Sequence, residues 1–128
     1  MSNNLYEQKK PLAYVKNTRG YNPRTYVSIQ DRVNNEPDFR REYFNKMAQE
    51  GWSELEDPTD IFKVKSGTQI KYRVAPHKRI SPDDYGFKSG GFYLRPGSNM
   101  TFLYYKGFNG VQFSLQMDDI ESLYIKQK

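Results

Sequence analysis

Residues 104–126 read YYKGFNGVQFSLQMDDIESLYIK and predict a β-hairpin, a tight turn and a last strand. The Asn109-Gly110 pair lies between two runs of alternating apolar residues, which is the strongest short-range signal for a hairpin with a two-residue turn. Such a turn also determines which residues face each other across the two strands. The predicted pairs are Phe108 with Val111, Lys106 with Phe113, Tyr104 with Leu115 and Phe102 with Met117. We therefore expect these residues on the core side and Tyr105 on the opposite face, among the polar residues Gln112, Ser114 and Gln116.

The segments before this hairpin complete a small sheet. Residues 61–74 predict a turn at Ser66-Gly67 and then a strand, and residues 87–96 predict a second strand that ends at a Pro96-Gly97 turn. Gly90-Gly91 lies in the middle of the second strand, where glycine permits the sharp bend that a small barrel needs. Five short strands in this order match the small β-barrels of the Src-homology (SH3), Tudor and Sm-like type. The sequence thus predicts a mainly β (α+β) fold, with a five-stranded SH3-like β-barrel over about residues 61–126.

One α-helix is predicted ahead of the barrel, over about residues 37–50. Pro37 suits the first helical position, and Gly51 suits the left-handed residue that ends a helix. An apolar stripe at helical spacing is expected to pack on the barrel, and its members are Phe39, Tyr43, Phe44, Met47 and Ala48. Residues 31–128 are therefore expected to form a single domain. Residues 1–30 have no helical period and are interrupted by proline and glycine, so they predict an extended, basic, tyrosine-rich arm.

Charge divides the chain into three parts, within a net charge of +5. Residues 1–30 carry five basic residues and one acidic residue, residues 31–58 carry four basic and eight acidic residues, and residues 59–128 carry eleven basic and six acidic residues. The arm and the sheet region are thus cationic, and the helical segment is acidic. Cationic surfaces attract nucleic acids and acidic proteins alike, so charge leaves both kinds of partner open.

Composition excludes several kinds of chemistry. The chain has no cysteine and one histidine, so a disulfide framework, a thiolate metal site and a multi-histidine metal site cannot form. It has no phosphate-binding glycine loop and no nucleophile elbow. The carboxylate pairs Asp83-Asp84 and Asp118-Asp119 lie in predicted turns, where aspartate is ordinary, and His77 lies in a basic loop without a nucleophile. We therefore expect no enzymatic activity, no cofactor, no metal and no small-molecule substrate.

Two kinds of partner remain. The first is a neighbouring protein in an assembly, because extended arms add to sheet edges and tyrosine is enriched at interfaces. The arm residues predicted to bind it are Tyr14, Lys16, Arg19, Tyr21, Arg24 and Tyr26. The second is nucleic acid, whose phosphates pair with cations and whose bases stack on flat rings. The candidate surface for nucleic acid or another partner is Tyr72, Arg73, Lys78, Arg79, Lys88, Tyr93, Arg95 and Tyr105.

Three motifs lie in the sheet region: Gly67-Thr68 with Ile70 and Tyr72, Lys88 with Gly90-Gly91, and Phe113-Ser114 with Gln116. Together they resemble small β-barrel proteins of large nucleocytoplasmic DNA viruses. The resemblance does not extend to the arm. It implies a viral origin and a place in the particle, and it implies no catalytic residue.

The resulting hypothesis is a non-enzymatic structural or assembly protein, such as a minor capsid or virion protein of a large DNA virus. We expect it in the virion or in the host cytoplasm or nucleus. It is not expected to be secreted, because its first residues lack a secretory signal, and no apolar run approaches the about 20 residues that cross a bilayer. The alternative hypothesis is a nucleic-acid-binding small β-barrel that uses basic and aromatic surface residues.

Overall fold

A computed structural model of the chain describes residues 28–127. This part of the chain is mainly β, with two α-helices, six strands and short 3-10 turns. The helices are α1 (Ile29–Asn35) and α2 (Pro37–Gln49). The strands are β1 (Trp52–Glu54), β2 (Gln69–Val74), β3 (Phe87–Pro96), β4 (Phe102–Gly107), β5 (Gln112–Gln116) and β6 (Ile120–Lys126). The 3-10 turns are Pro58–Lys63, Pro76–Lys78, Ser98–Met100 and Met117–Asp119.

The helical segment contains one helix more than predicted. Helix α2 lies in the predicted place, with Pro37 at its start. Helix α1 precedes it and is capped by Ser28, whose Oγ accepts a hydrogen bond of 3.1 Å from the backbone N–H of Asp31. Glu36 between the helices is extended, because the residue before a proline disfavours the helical conformation. Helix α1 therefore begins at Ile29, before the predicted domain start at residue 31.

The arm prediction falls almost entirely on residues 1–27, which lie outside the described residues. The same holds for each of the arm residues predicted to bind a partner: Tyr14, Lys16, Arg19, Tyr21, Arg24 and Tyr26. Their role stays a prediction.

All six strands form one antiparallel sheet in the order β1-β6-β2-β3-β4-β5. Strands β2 to β6 are the five that the sequence predicts, and β1 adds a sixth, short strand that pairs with β6. Among residues 28–127, β1 and β5 form the two ends of this order and do not pair with each other. The prediction of a mainly β fold is therefore confirmed, the strand count is corrected to six, and the sheet is open rather than closed.

The hairpin loop between the hydrogen-bonded residues Gly107 and Val111 has three residues, 108–110, instead of the predicted two. The C=O group of Gly107 accepts a hydrogen bond from the N–H of Gly110 (2.9 Å), and the N–H of Gly107 donates to the C=O of Val111 (2.8 Å). Gly110 has φ +85°, which is the left-handed residue that follows the tight turn in a three-residue hairpin loop. The Asn109-Gly110 pair thus marks the hairpin correctly, but Gly110 follows the turn as a bulge instead of occupying its centre.

This turn shifts the hairpin register by one position. The observed pairs are Phe102 with Gln116, Leu103 with Leu115, Tyr104 with Ser114, Tyr105 with Phe113 and Lys106 with Gln112. The predicted register was wrong, because a two-residue turn and a bulged three-residue turn place opposite faces of β4 against the same face of β5. As a result Leu103 and Tyr105 face the core, while Phe102 and Tyr104 lie on the other side of the sheet.

Strand β3 bends at the predicted glycine pair. Gly90 has φ +67°, and a Cβ atom there would overlap the carbonyl group of Ile70. A Cβ atom at Gly91 would overlap the carbonyl oxygen of Lys106. Glycine is therefore required at both positions for β3 to pass between its two neighbours.

The two faces of the sheet bury separate apolar clusters. The inner cluster comprises Ile61, Ile70, Tyr72, Val74, Tyr93, Leu103, Tyr105, Leu115, Ile120, Leu123 and Ile125. It draws on five strands and the 58–63 turn, so the sheet curves around it. The outer cluster lies under the helices and comprises Val33, Met47, Trp52, Phe87 and Tyr124.

Helix α2 holds the outer cluster through its aromatic stripe. The ring of Phe44 lies edge-on to Phe87 at 5.6 Å and tilted against Tyr124 at 5.5 Å. The prediction that this stripe packs on the sheet is confirmed, except that Ala48 is exposed. Helix α1 is attached to the same strand residue, Phe87. The side-chain amide of Asn34 donates a hydrogen bond to the C=O of Phe87 and accepts one from its N–H.

Candidate functional site

The helices cover only one half of the outer face, around Trp52, Phe87 and Tyr124. Beyond Phe87 the same face continues across β3, β4 and β5, through the cross-strand pairs of Phe92 with Lys106 and of Lys106 with Gln112. None of the described helices packs on this region, and its side chains are exposed or half-exposed. We call it the open half of the sheet, and it comprises Phe92, Arg95, Phe102, Tyr104, Lys106, Gln112, Ser114 and Gln116.

Aromatic rings and cations alternate on the open half. Phe92 lies edge-on to Phe108 of the hairpin turn at 5.3 Å, and Phe102 lies edge-on to Tyr104 at 5.2 Å. The guanidinium of Arg95 lies over the ring of Tyr104, 4.4 Å from its centroid. Half-exposed rings beside cations are the groups that stack on unpaired bases or on partner side chains.

The open half carries no carboxylate. Between Tyr85 and Met117 the sequence contains Lys88, Arg95 and Lys106 but no aspartate or glutamate. The acidic residues of 31–58 belong instead to the helices and the segment that follows them. The helical segment is therefore rich in carboxylates, whereas the open half carries cations without carboxylates, which is a charge pattern that favours anionic groups.

Strand β5 is the outer edge of the open half. The residues that flank β5 are bonded toward β4, because the N–H of Gly107 donates to the C=O of Val111 (2.8 Å) and the N–H of Met117 donates to the C=O of Thr101 (3.0 Å). Backbone direction alternates along an antiparallel strand, so the N–H and C=O groups of Gln112, Ser114 and Gln116 point away from β4. No described strand pairs with these groups.

Within residues 28–127, the β5 edge lacks the usual protection against association. Natural edge strands are blocked by lysine, proline, a bulge or a covering element. Strand β5 reads QFSLQ, has no charge or proline, and pairs with β4 without a register shift. Apolar side chains beside it are also exposed: Phe108 by 58%, Val111 by 49% and Phe113 by 42%. Exposed apolar groups beside an edge strand are typical of surfaces that contact another chain.

The structure does not bring the eight predicted surface residues together. Tyr72, Tyr93 and Tyr105 are buried in the inner cluster, with exposures of 6%, 2% and 8%. The hydroxyls of Tyr72 and Tyr105 are hydrogen-bonded to each other at 2.9 Å, and burial, followed by this bond, raises the pKa of Tyr72 well above its ordinary value. The three tyrosines therefore lie in the core of the described fold, Tyr105 because the shifted hairpin register turns it inward, and their role in binding a partner stays a prediction.

The predicted cations are also dispersed. Arg73 lies over the ring of Tyr85 at 3.7 Å, and Arg79 donates to the carbonyl of Val74 at 3.2 Å. Lys78 lies 3.8 Å from the carboxylate of Asp119, and half-buried Lys88 lies opposite Tyr72 on β3. Of the eight, only Arg95 belongs to the open half.

Sequence reasoning missed Phe92, Phe102, Tyr104 and Lys106. The wrong register placed Phe102, Tyr104 and Lys106 in the core, and so removed them from the surface. One signal in the sequence marks the region nevertheless, which is the carboxylate-free run from Tyr85 to Met117.

His77 and Asp84, which the sequence places in loops, make local hydrogen bonds. His77 Nε2 lies 3.0 Å from Asp119 Oδ1 and links the 76–78 turn to the 117–119 turn. Asp84 accepts a hydrogen bond from the N–H of Gly86 (2.9 Å), as expected of an aspartate in a turn. Within residues 28–127 no three histidine or carboxylate side chains are grouped closely enough to hold a metal ion. No helix in the described range has the length and apolar character needed to cross a membrane.

No family model matches the sequence, and no curated protein or solved structure matches it at a significant level.

Proposed function

We propose that the chain is a non-enzymatic structural or assembly protein that binds neighbouring proteins through its β5 edge and the adjoining hairpin turn, beside the open half of the sheet. The observation that carries this proposal is the unprotected β5 edge, with Phe108, Val111 and Phe113 exposed beside it. In a monomer without a partner these groups would be an aggregation hazard. A neighbouring protein that pairs a strand with this edge, or packs an apolar side chain on these residues, removes that hazard, and the new contacts contribute to affinity.

In our proposal the basic arm acts on the same partner. Gln30 Oε1 accepts a hydrogen bond of 2.9 Å from the N–H of Ser89, so the described chain begins beside β3. Strand β5 lies two strands away in the sheet, a distance of about 10 Å. Residue 28 thus lies near β3, and in our proposal the arm that precedes it anchors the partner that the sheet contacts.

We further propose that this assembly is the particle of a large DNA virus, in which the chain is a minor component. The support is the resemblance of the three sheet motifs. The strand order β6-β2-β3-β4-β5, with one 3-10 turn before the last strand, also agrees with the strand sequence expected of an SH3-like small barrel, to which β1 adds an edge.

Particle incorporation tests this function. A tagged copy is produced in infected cells, and its sedimentation with purified particles is compared with that of a triple variant, Phe108→Ser, Val111→Ser and Phe113→Ser. The matched control changes two exposed apolar residues away from the open half, Ile29→Ser and Ile80→Ser, whose exposures are 56% and 92%. We expect the control to enter particles and the triple variant to stay in the soluble fraction. Normal incorporation of a folded triple variant would overturn the proposal.

A second candidate function, binding of single-stranded nucleic acid, is favoured by the absence of carboxylates from the open half. Three half-exposed rings, Phe92, Phe102 and Tyr104, lie there with Arg95 and Lys106. Stacking on such rings contributes about 1–3 kcal/mol per base, and cations add a salt-dependent attraction to phosphates.

Titration with single-stranded oligonucleotides at several salt concentrations tests this candidate. The Arg95→Glu, Lys106→Glu variant is compared with Lys63→Glu, Lys65→Glu, which makes the same charge change at exposed positions outside the open half. We expect wild-type affinity to fall steeply with salt and the first variant to lose binding, while the second keeps most of it. Absence of binding at low salt, or equal losses in the two variants, would eliminate this function.

A further inference from the structure

We propose that two copies of the chain pair through their β5 strands, antiparallel and related by a twofold axis at Ser114. The inference rests on the proposed assembly function, of which it names the first partner: a second copy of this chain. The two six-stranded sheets would then join edge to edge into one continuous sheet.

The backbone of β5 suits this pairing. Gln112, Ser114 and Gln116 direct their N–H and C=O groups outward, and these are the groups that a second antiparallel strand needs. With the axis at Ser114, each Gln112 lies opposite Gln116 of the second copy, and the two Ser114 residues lie opposite each other. All three outward residues of each copy are then paired, which gives up to about six hydrogen bonds between the copies. Moving the axis by one residue in either direction leaves one end of the strand unpaired.

The side chains of β5 are complementary to themselves in the same register. The order of polar and apolar residues in Gln112-Phe113-Ser114-Leu115-Gln116 is the same when the strand is read in either direction. Each Phe113 therefore lies opposite Leu115 of the second copy on the inner side, and the glutamines and serines meet on the outer side. Beyond the strand, exposed Val111 lies opposite half-buried Met117. Every cross-strand pair thus matches apolar with apolar or polar with polar, as stable cross-strand pairs do.

Charge also favours a second copy over the basic arm as the occupant of this edge. The edge itself is uncharged, whereas residues 1–27 carry five basic residues and one acidic residue, and the open half beside the edge carries cations and no carboxylate. Pairing of β5 strands introduces no opposed charges within the strand. It does bring the two cationic open halves side by side, so salt should strengthen the dimer by screening their repulsion. Binding of an anionic partner would show the opposite salt dependence.

Sedimentation equilibrium of the full chain tests the pairing. We expect a concentration-dependent dimer that tightens between low and physiological salt. Ser114→Pro removes an outward N–H without touching a bond to β4 and should leave a folded monomer. Ser114→Ala keeps the N–H and should dimerise as the wild type does. A wild-type protein that stays monomeric, or a Ser114→Pro variant that is folded and dimerises fully, would overturn the proposal.

Single cysteines provide a second test that does not depend on the proline variant folding. The chain has no native cysteine, so each variant carries one thiol. The twofold axis places the two side chains of Ser114→Cys across from each other, within disulfide distance. Gln112→Cys on the same strand lies opposite Gln116 instead of itself. Under mild oxidation we expect a disulfide-linked dimer from Ser114→Cys and little from Gln112→Cys.

Equal cross-linking of the two cysteine variants would mean random collision and would refute the twofold register. Failure of the dimer is distinguishable from failure of the assembly function. A monomer that still enters particles, and that needs Phe108, Val111 and Phe113 to do so, contradicts only the β5 pairing.

Discussion

The covered half and the open half of the outer sheet face contain similar residues, but the first is buried and the second is exposed to solvent. In the covered half, Phe87 is fully buried beneath α2, and the ring of Tyr85 lies between the guanidinium groups of Arg40 (4.0 Å) and Arg73 (3.7 Å). In the open half, the ring of Tyr104 has Arg95 over it and remains half-exposed. Aromatic and basic residues therefore form a core on one side and a surface on the other, and the position of the helices makes the difference.

The largest effect expected from this contrast is on stability. Phe87→Ala should lower the free energy of unfolding by about 3–5 kcal/mol, because it removes a fully buried ring and leaves a cavity. Phe108→Ala makes the same chemical change at a ring that is 58% exposed, and should cost less than about 1 kcal/mol. Urea unfolding followed by circular dichroism measures both. Similar losses would mean that the two halves are not energetically distinct.

The second prediction concerns the attachment of α1 to the covered half. Asn34 Nδ2 donates to the C=O of Phe87 (3.1 Å), and the N–H of Phe87 donates to Asn34 Oδ1 (2.6 Å). Asn34→Ala should cost about 1–3 kcal/mol, because it leaves buried backbone groups of Phe87 without partners. The neighbouring Asn35→Ala is the control, since Asn35 is exposed. Amide hydrogen exchange should show that Phe87 loses protection only in the first variant.

A third prediction uses pH. Burial beneath the helices raises the pKa of Tyr124 to about 12 from its ordinary value of 10.0. Its contribution to stability is fully present below pH 10 and is lost as pH rises toward 12, because the unfolded tyrosine ionises first. Alkaline unfolding should therefore be less steep in Tyr124→Phe than in the wild type, each compared with its own stability at pH 7. An unchanged slope would mean that Tyr124 is not protected by the covered half.

The smallest expected effect is that of Arg95→Ala, which should lower stability by no more than about 0.5–1 kcal/mol, as for exposed cation–π contacts. Arg73→Ala should cost more, because Arg73 also donates to the carbonyl of Tyr85 (3.1 Å). Thermal unfolding of the two variants ranks them. The opposite ranking would show that the contact of Arg95 with Tyr104 stabilises the fold more than the contacts of Arg73 with Tyr85.

Local signals account for the elements that were predicted correctly. Pro37 and Gly51 mark the ends of the main helix, and Gly90-Gly91 marks the bend of β3, because each of these residues suits a backbone conformation that others disfavour. Helix α1 was missed although Ser28 and Asp31 have the spacing of an N-terminal cap. Strand β1 has three residues and no alternation of its own, so only its pairing with β6 defines it.

The candidate surface was harder to predict, because it depends on which side of β4 faces inward. Phe102, Tyr104 and Lys106 alternate with Leu103, Tyr105 and Gly107, and both sets contain aromatic residues. A two-residue and a three-residue turn at Asn109-Gly110 are both compatible with the sequence, and they assign the core to opposite sets. The arm residues from Tyr14 to Tyr26 and their role stay predictions.

By itself, the sequence determined a mainly β protein with one principal helix, a basic sheet region and a carboxylate-free run. These properties follow from local conformational preference and from the order of charges, which do not depend on long-range contacts. Only the tertiary structure decided that Tyr72, Tyr93 and Tyr105 are buried, that the helices stop short of β4 and β5, and that the uncharged β5 strand is an edge. Those outcomes depend on strand register and on which element packs on each face of the sheet. Both are set by contacts between residues far apart in the sequence, so local sequence patterns do not determine them.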